Sequence, residues 1–213
     1  MVTGLTLVGE GAVAKWAAMA GPADSAQAKL EAPKSIRAAY GTDAVKNAVH
    51  ASAGAAEQKA EQELFFSKDL ATSAYFTNCT CAIIKPHIVQ AGLAGEIIDT
   101  ILEEGFEISA LQMFTLDKPT AEEFLEVYKG VLPEFPAISK HMTTGPCIVM
   151  EVRQENCVQA FRELCGPMDP EIAKNLRPKT LRAKYGIDRV MNAIHCTDLP
   201  EDGTLECEYF FSI

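Results

Sequence analysis

One segment of this chain occurs twice. Residues 34–52, KSIRAAYGTDAVKNAVHAS, return at 179–197 as KTLRAKYGIDRVMNAIHCT, so that His195 follows its counterpart His50 by 145 positions. The same register holds on either side of this segment for the pairs Gly21 and Gly166, Glu61 and Glu206, and Phe65 and Phe210. Matching residues over such a span, without a gap, indicate two copies of one domain in tandem.

The same register makes the first copy short. The first residue corresponds to Pro146, so 75–145 have no counterpart in the first copy. We therefore interpret 1–66 as the C-terminal half of a domain, 67–75 as a linker and 76–213 as the complete copy. Half a domain would expose the apolar face that its missing strands and helices cover, which soluble monomers seldom do. We expect another chain, or another segment of a longer protein, to supply the rest.

Composition excludes several classes of protein. The 213 residues are 48% hydrophobic and 23% charged, which predicts a folded globular chain and not a disordered one. The net charge of −10 argues against a general nucleic-acid binder, because such binding relies on clustered Lys and Arg. No stretch reaches 18 uncharged apolar residues, so we expect a soluble intracellular chain without membrane contact. Its seven cysteines include no CxxC pair, which favours reduced free thiols over a zinc site.

The complete copy alternates short apolar runs with segments of helical periodicity. Strands are predicted at 78–85, 106–116, 147–152 and 193–196, and helices at 93–104, 120–130, 134–142, 155–165 and near 203–210. This order is the ferredoxin-like βαββαβ pattern of the α/β (α+β) class. We expect a sandwich whose antiparallel sheet carries helices on one face.

Two nucleotide-binding motifs are weak or missing. Residues 9–14, GEGAVA, fit the GxGxxA fingerprint, but no second strand with an acidic residue follows about 20 positions later. We interpret this segment as a plain turn from a strand into a helix. The chain contains no GxxxxGK[ST] sequence, which excludes a P-loop ATPase.

The segment NAIHCTD at 192–198 and its echo NAVHAS at 47–52 each place a histidine three residues after an asparagine. Together with AIIKPH (82–87) and RPKTLRAKYG (177–186), the first of them resembles the nucleoside diphosphate kinases. The resemblance covers about 76–213, and 3–66 match the C-terminal half of a second copy. The two-copy arrangement resembles a tandem member of that family that is associated with cilia and centrosomes.

This resemblance implies a chemistry and a set of residues. The family moves the γ-phosphate of a nucleoside triphosphate to a nucleoside diphosphate through a phosphohistidine, and an imidazole suits this relay because it is largely uncharged at pH 7. By resemblance His195 is the nucleophile and Glu206 the carboxylate that orients it. The family pattern further implies phosphate contacts from Lys85, Arg162 and Arg182, a ribose and phosphate contact from Asn192, support of His195 by Thr197, and Mg²⁺ that arrives with the nucleotide.

A local excess of positive charge supports phosphate binding. Residues 174–189 carry six Lys and Arg against one acid, Asp188, a net charge of +5 within a chain of −10. Charge of this sign balances the oxygens of a transferring phosphoryl group.

Departures from the family pattern leave a second function open. Met168 replaces a phosphate-contacting threonine, His87 replaces an aspartate, and Tyr128 matches the active-site tyrosine only if the following loop is short. In the first copy the position of Arg162 is Ala17, so we expect that copy to be structural. The alternative to an enzyme is a non-catalytic component of axonemal doublet microtubules or centrosomes. Its partners would include tubulin and other axonemal or centrosomal proteins, and its location would be the cytoskeleton of the cilium.

Overall fold

The chain divides into two compact units, 1–71 and 72–213. A computed structural model describes residues 2–67 and 72–212, so part of the predicted linker at 67–75 lies outside the described residues. The predicted domain boundaries stay a prediction, and the two units are described separately. No helix in the described ranges is long and apolar enough to cross a membrane.

The first unit is helical throughout its described residues. It contains α1 (Ala12–Ala20), α2 (Ser25–Glu31), α3 (Ile36–Tyr40) and α4 (Ala55–Phe66). The strand that we expected before α1 is not observed, because residues 2–8 lie in irregular structure.

The second unit holds a four-stranded sheet and eight helices in its described residues. Its elements are β1 (Cys79–Ile84), α5 (Pro86–Gln90), α6 (Ala94–Glu103), β2 (Glu107–Phe114), α7 (Lys118–Phe124), a 3-10 turn (Glu126–Tyr128), α8 (Phe135–Met142), β3 (Cys147–Arg153), α9 (Cys157–Cys165), α10 (Pro170–Leu176), α11 (Leu181–Tyr185), β4 (Ile194–Cys196) and α12 (Asp202–Phe211). The strand order is β2-β3-β1-β4 with antiparallel neighbours, which confirms the ferredoxin-like prediction.

The expectation of helices on one face only is wrong. The crossover helices α6 and α9 cover one face, where Ile97 and Phe161 pack against Ile84 and Met150. The other face carries α7, α8 and α12, with Phe210 against neighbours such as Val149. Every residue of β1 is buried, as expected of a central strand covered on both sides.

Several short helices were not predicted from the sequence. The helices α5, α10 and α11 span only five to seven residues, too few for a hydrophobic period to show. Helix α10 begins at a local signal, because the Asp169 side chain accepts a hydrogen bond from the backbone N–H of Glu171 and Pro170 occupies the first turn. Helices α10 and α11 contain much of the basic segment 174–189.

The repeat recurs in local structure. Helices α1, α2 and α3 match α9, α10 and α11 residue for residue in the 145-position register. The segments that correspond to β3 and β4 form no strands in the described part of the first unit. In the second unit β1 lies between β3 and β4 and pairs with both, and the register gives the first unit no segment equivalent to β1. A strand without a neighbour has no partner for its backbone hydrogen bonds.

Candidate active site

His195 lies in the middle of β4, the edge strand that pairs with β1. Its Nε2 is 2.9 Å from Oε2 of Glu206, which α12 carries. The ring is 8% exposed and meets Phe124 edge to face, with 5.2 Å between the ring centroids. Because Glu206 engages Nε2, the ring is held in one orientation and Nδ1 is left as the nitrogen with a free lone pair.

A chain of buried hydroxyl groups holds Glu206 in place. Thr197 donates from Oγ1 to Oε2 of Glu206 at 2.8 Å. The same Oγ1 accepts from the Thr80 hydroxyl at 2.9 Å and from the backbone N–H of Cys81 at 3.2 Å. Thr197 therefore acts on His195 through the carboxylate, and neither Thr197 nor Glu206 lines the cavity.

One cavity brings the remaining predicted residues together beside His195. Its polar wall consists of Lys85, Tyr128, Arg162, Arg182, Asn192 and Asp198. Apolar side chains from α7 and α8 also line the cavity. Four predicted positions, Lys85, Arg162, Arg182 and Asn192, thus line one cavity together with His195.

Lys85 follows β1 immediately and is almost fully buried. Its Nζ donates to the carbonyl of Val190 at 2.9 Å, and no carboxylate among the described residues forms an ion pair with it. Burial, followed by the nearby Arg182 guanidinium, lowers the pKa of Lys85 to about 7. An anionic ligand would supply the missing countercharge.

Arg162 is already paired with an acid. Its Nη1 contacts Oδ1 of Asp198, and Oδ2 of Asp198 accepts from the Tyr128 hydroxyl at 2.6 Å. Burial alone would raise the pKa of Asp198, but the hydrogen bonds from Tyr128 and Arg162 outweigh it and lower the pKa. A phosphate that binds Arg162 would compete with this carboxylate. Asp198 is the last residue of the NAIHCTD motif, but the sequence predicted no role for it.

Most of the N–H groups that Arg182 uses donate to backbone carbonyls. Nε and Nη2 donate to the carbonyl of Ile194 at 3.2 and 3.0 Å, and Nη1 donates to that of Gly166 at 2.8 Å. Nη2 also approaches the sulfur of Cys196 at 3.4 Å. Of its five N–H groups, one on Nη1 remains for a phosphate, so Arg182 mainly fastens β4 to the turn after α9.

Asn192 offers an unused acceptor to the cavity. Its Nδ2 donates to the carbonyl of Met168 at 3.1 Å, whereas its buried Oδ1 has no partner in the described chain. Such an orphan is uncommon and is typical of a place where a ligand or water binds. The Met168 side chain lines the same cavity without a hydroxyl to offer.

His87 lies outside the cavity wall and pairs with His141 at the end of α8. Its Nδ1 is 2.9 Å from Nε2 of His141, and its own Nε2 is buried without a partner. Burial, His141 and Lys85 together lower the pKa of His87 to about 4. His141 was not singled out from the sequence, because nothing in its neighbourhood marks it.

The first unit repeats the polar framework on an open surface. Nε2 of His50 is 2.6 Å from Oε1 of Glu61, and the Ser52 hydroxyl donates to Oε2 of Glu61 at 2.6 Å. Arg37 donates to the carbonyls of Val49 and Gly21, as Arg182 does to their counterparts. The His50 side chain, however, is 67% exposed. The framework is retained in this unit, but its histidine is open to solvent.

Comparisons with known proteins give one consistent result. The family model described as "Nucleoside diphosphate kinase" matches residues 1–70 and 78–213. The chain is 49% identical over 216 residues to "Nucleoside diphosphate kinase homolog 7" of Rattus norvegicus, a match that covers 100% of this chain and 55% of the rat protein. It is 36% identical over 133 residues to a nucleoside diphosphate kinase of Aquifex aeolicus, covering 62% of this chain and 93% of that protein.

Solved structures agree. A crystal structure of the Aquifex aeolicus nucleoside diphosphate kinase matches with a TM-score of 0.60 and 35% identity, covering 63% of this chain and 94% of that one. These findings confirm the resemblance that the motifs predict, including that to a tandem member of the family. The chain spans about half the length of the rat and mouse relatives.

Proposed function

Because this chain belongs to the nucleoside diphosphate kinase family, we propose that its second unit transfers the γ-phosphate of a nucleoside triphosphate to a nucleoside diphosphate. The transfer passes through a phosphohistidine at His195. The observation that carries the proposal is the pairing of Nε2 of His195 with Glu206 at 2.9 Å. In the neutral tautomer that donates from Nε2 to Glu206, the lone pair of Nδ1 is free to act as the nucleophile.

The reaction occurs in two equivalent halves. The Nδ1 lone pair attacks the γ-phosphorus, the bond between that phosphorus and the bridging oxygen breaks, and a nucleoside diphosphate leaves. A second nucleoside diphosphate then attacks the phosphohistidine and restores the imidazole. Glu206 stabilises the positive charge that forms on the ring in each half, as a carboxylate does in other histidine relays.

The cavity supplies groups that suit the phosphates. The buried amino group of Lys85 has no anionic partner in the described residues, so a bound phosphate would favour its charged form. Asn192 has an unpaired Oδ1 that fits a hydroxyl donor such as a ribose. Arg162 contributes once a phosphate displaces Asp198, and Arg182 contributes one N–H group. Removing water from such a site strengthens each of these interactions.

Magnesium fits this site as a companion of the nucleotide. Of the acids near His195, Glu206 is held by His195 and Thr197, and Asp198 by Arg162 and Tyr128. The described side chains therefore present no free carboxylate set beside His195 to cage the ion. Phosphate oxygens and water would be its ligands, and the ion would neutralise phosphate charge.

A nucleotide-exchange assay on the full chain tests the proposal. Wild type should transfer phosphate from ATP to another nucleoside diphosphate and should carry an acid-labile, base-stable phosphate. His195→Gln should lose both, and Glu206→Gln should lower exchange by about ten- to a hundredfold. His50→Gln is the matched control, because Glu61 holds His50 as Glu206 holds His195 but the His50 side chain is 67% exposed, and the variant should behave as wild type. Equal phosphate labelling of wild type and His195→Gln would refute the mechanism.

A second candidate function is structural. Three observations favour it: Met168 offers no hydroxyl to a phosphate, Arg162 is engaged by Asp198, and His50 in the first unit has Ala17 where a cation would stand. The protein would then keep the fold as a component of axonemal doublets or centrosomes. A folded wild type that neither exchanges phosphate nor becomes labelled would favour this function.

The proposed setting follows from the tandem arrangement. By resemblance we propose tubulin and other axonemal or centrosomal proteins as partners, and the cytoskeleton of the cilium as the location. Co-sedimentation of the full chain with stabilised microtubules tests the tubulin contact, and protein that stays in the supernatant at every tubulin concentration would contradict it.

A further inference from the structure

The seven cysteines occupy different chemical environments. All are free thiols and all are buried. Cys79, Cys81 and Cys207 cluster near the carboxylates of Glu151 and Glu206. Cys165 and Cys196 lie in the core on the opposite face of the sheet, beside Arg182. Cys147 and Cys157 belong to neither group.

Cys196 combines a cation, a neighbouring thiol and access from the cavity. Its sulfur lies 3.4 Å from Nη2 of Arg182, and Cys165 belongs to the same buried cluster of side chains. Cys165 ends α9, and Cys196 follows His195 on β4. Although little of Cys196 reaches the outer surface, it lines the cavity beside His195.

These contacts favour the thiolate of Cys196. The hydrogen bond from Cys165 and then the positive charge of Arg182 lower the pKa of Cys196 against the opposing effect of burial. At other cysteines the environment raises the pKa of the thiol. A contact with Cys207 and burial raise the pKa of Cys79, and burial raises that of Cys147 to about 11. The thiolate is the reactive form, so reactivity toward oxidants is concentrated at Cys196.

We propose that Cys196 and Cys165 form a redox-active pair that takes a small peroxide as its oxidant through the cavity. The Cys196 thiolate attacks one peroxide oxygen, an S–O bond forms, the O–O bond breaks, and the departing hydroxide takes up a proton to become water. Cys165 then attacks the Cys196 sulfenic acid, an S–S bond forms and the S–O bond breaks. The proton of Cys165 leaves with that oxygen as a second water. Two thiols are oxidised to one disulfide while one peroxide is reduced to two waters.

The product would link two elements of the site. A bond between Cys165 and Cys196 joins the C-terminal end of α9, which carries Arg162, to β4, one residue from His195. The chemistry needs no nucleotide, so it does not depend on the phosphotransfer proposed above.

Peptide mapping of the full chain after treatment with hydrogen peroxide at pH 7 tests the pair. Wild type should form the Cys165–Cys196 disulfide. In Cys165→Ser, the sulfenic acid of Cys196 should accumulate and be captured by dimedone at a rate at least about tenfold above Cys147. Cys157→Ser removes a buried thiol that donates to the backbone carbonyl of Val152 at 3.1 Å, and it should keep the wild-type pattern.

A second measurement does not depend on any variant. A free thiol has an ordinary pKa of about 8.5. The rate of alkylation of Cys196 in the wild type should reach half its maximum below that pH. Three results would overturn the inference: a first disulfide within the Cys79, Cys81 and Cys207 cluster, reaction of Cys196 no faster than that of Cys147, or a midpoint at or above that pH. If Cys165→Ser fails to fold, the peptide map and the alkylation pH profile of the wild type still test the inference.

Discussion

Burial changes the protonation of Lys85. Burial and Arg182 lower its pKa to about 7, whereas an unfolded chain has a lysine pKa of about 10.4. Between these values the unfolded state binds more protons than the folded state. Stability therefore rises as the pH increases from about 7 to about 10, because the buried amine is already neutral and the proton uptake that accompanies unfolding becomes less favourable.

The variant Lys85→Met should abolish this contribution. The difference in unfolding free energy between wild type and variant should change by at most about 1.4 kcal/mol per pH unit between pH 7.5 and 9.5. Urea unfolding at three pH values in that window measures the difference. Lys184→Met, which removes an exposed lysine from the same basic segment, is the control. A difference that stays constant with pH for Lys85→Met would show that this ammonium is not buried as described.

Single residues were predictable where a motif carried them. The motifs around Lys85 and His195 led to positions that do line one cavity or support it. They did not reveal the hydrogen bond between Tyr128 and Asp198, because it joins residues 70 positions apart across a loop whose path the sequence does not specify. The partner of His87 was missed for the same reason.

At the scale of elements, β3 contains a buried carboxylate in an otherwise apolar strand. Glu151 accepts from the backbone N–H groups of Tyr75 and Phe76 at 2.6 and 2.9 Å, and from the Ser109 hydroxyl at 2.5 Å. Ser109 sits where the pairing of β2 with β3 shifts by one residue between Ile108 and Ala110. Such a bulge re-aims a side chain, and here it directs a hydroxyl to the carboxylate. Glu151 thus fastens the start of the unit to its sheet.

Glu151→Gln should destabilise the second unit by about 1 to 3 kcal/mol, because the amide NH₂ group cannot accept the hydrogen bonds that one carboxylate oxygen receives. Thermal and urea unfolding measure this loss. Glu107→Gln on β2 is the control, since Glu107 is exposed and its ion pair with Arg153 should contribute about 1 kcal/mol or less. Equal effects of the two substitutions would contradict the role assigned to Glu151.

Elements were predictable where apolar runs were long. The four strands emerged from such runs, and the order of elements gave the topology. The second layer of helices was missed, although the unbroken apolar run of β1 is typical of a strand covered on both faces. The bulge at Ser109 blurs the alternation along β2, which is why only a loose pattern could be seen there.

At the scale of the whole molecule, equivalent positions in the two copies differ in burial. Leu5 and Leu7 are 65% and 50% exposed, whereas their counterparts Met150 and Val152 are fully buried. Burying one such side chain stabilises a fold by about 1.5 to 3 kcal/mol. The first unit lacks that contribution at both positions, as half a domain would.

Limited proteolysis of the full chain should reflect this difference. Cleavage should begin before Tyr75 and leave a resistant fragment that corresponds to the second unit, because open segments are cut while packed ones are protected. Mass spectrometry of the fragments identifies the first sites cut. If the first 66 residues resist protease in a monodisperse monomer, the interpretation as half a domain is wrong.

The position of β1 between β3 and β4 also governs when the candidate site can assemble. Ile83 of β1 pairs with His195, a residue 112 positions later in the chain. Closing so long a loop is entropically costly, and folds dominated by such pairings form slowly. A ribosome must therefore release nearly the whole unit before the histidine can join its strand partner. Pulsed hydrogen exchange during refolding should find the amides between β1 and β4 among the last to be protected, so the reactive centre is completed at the end of folding.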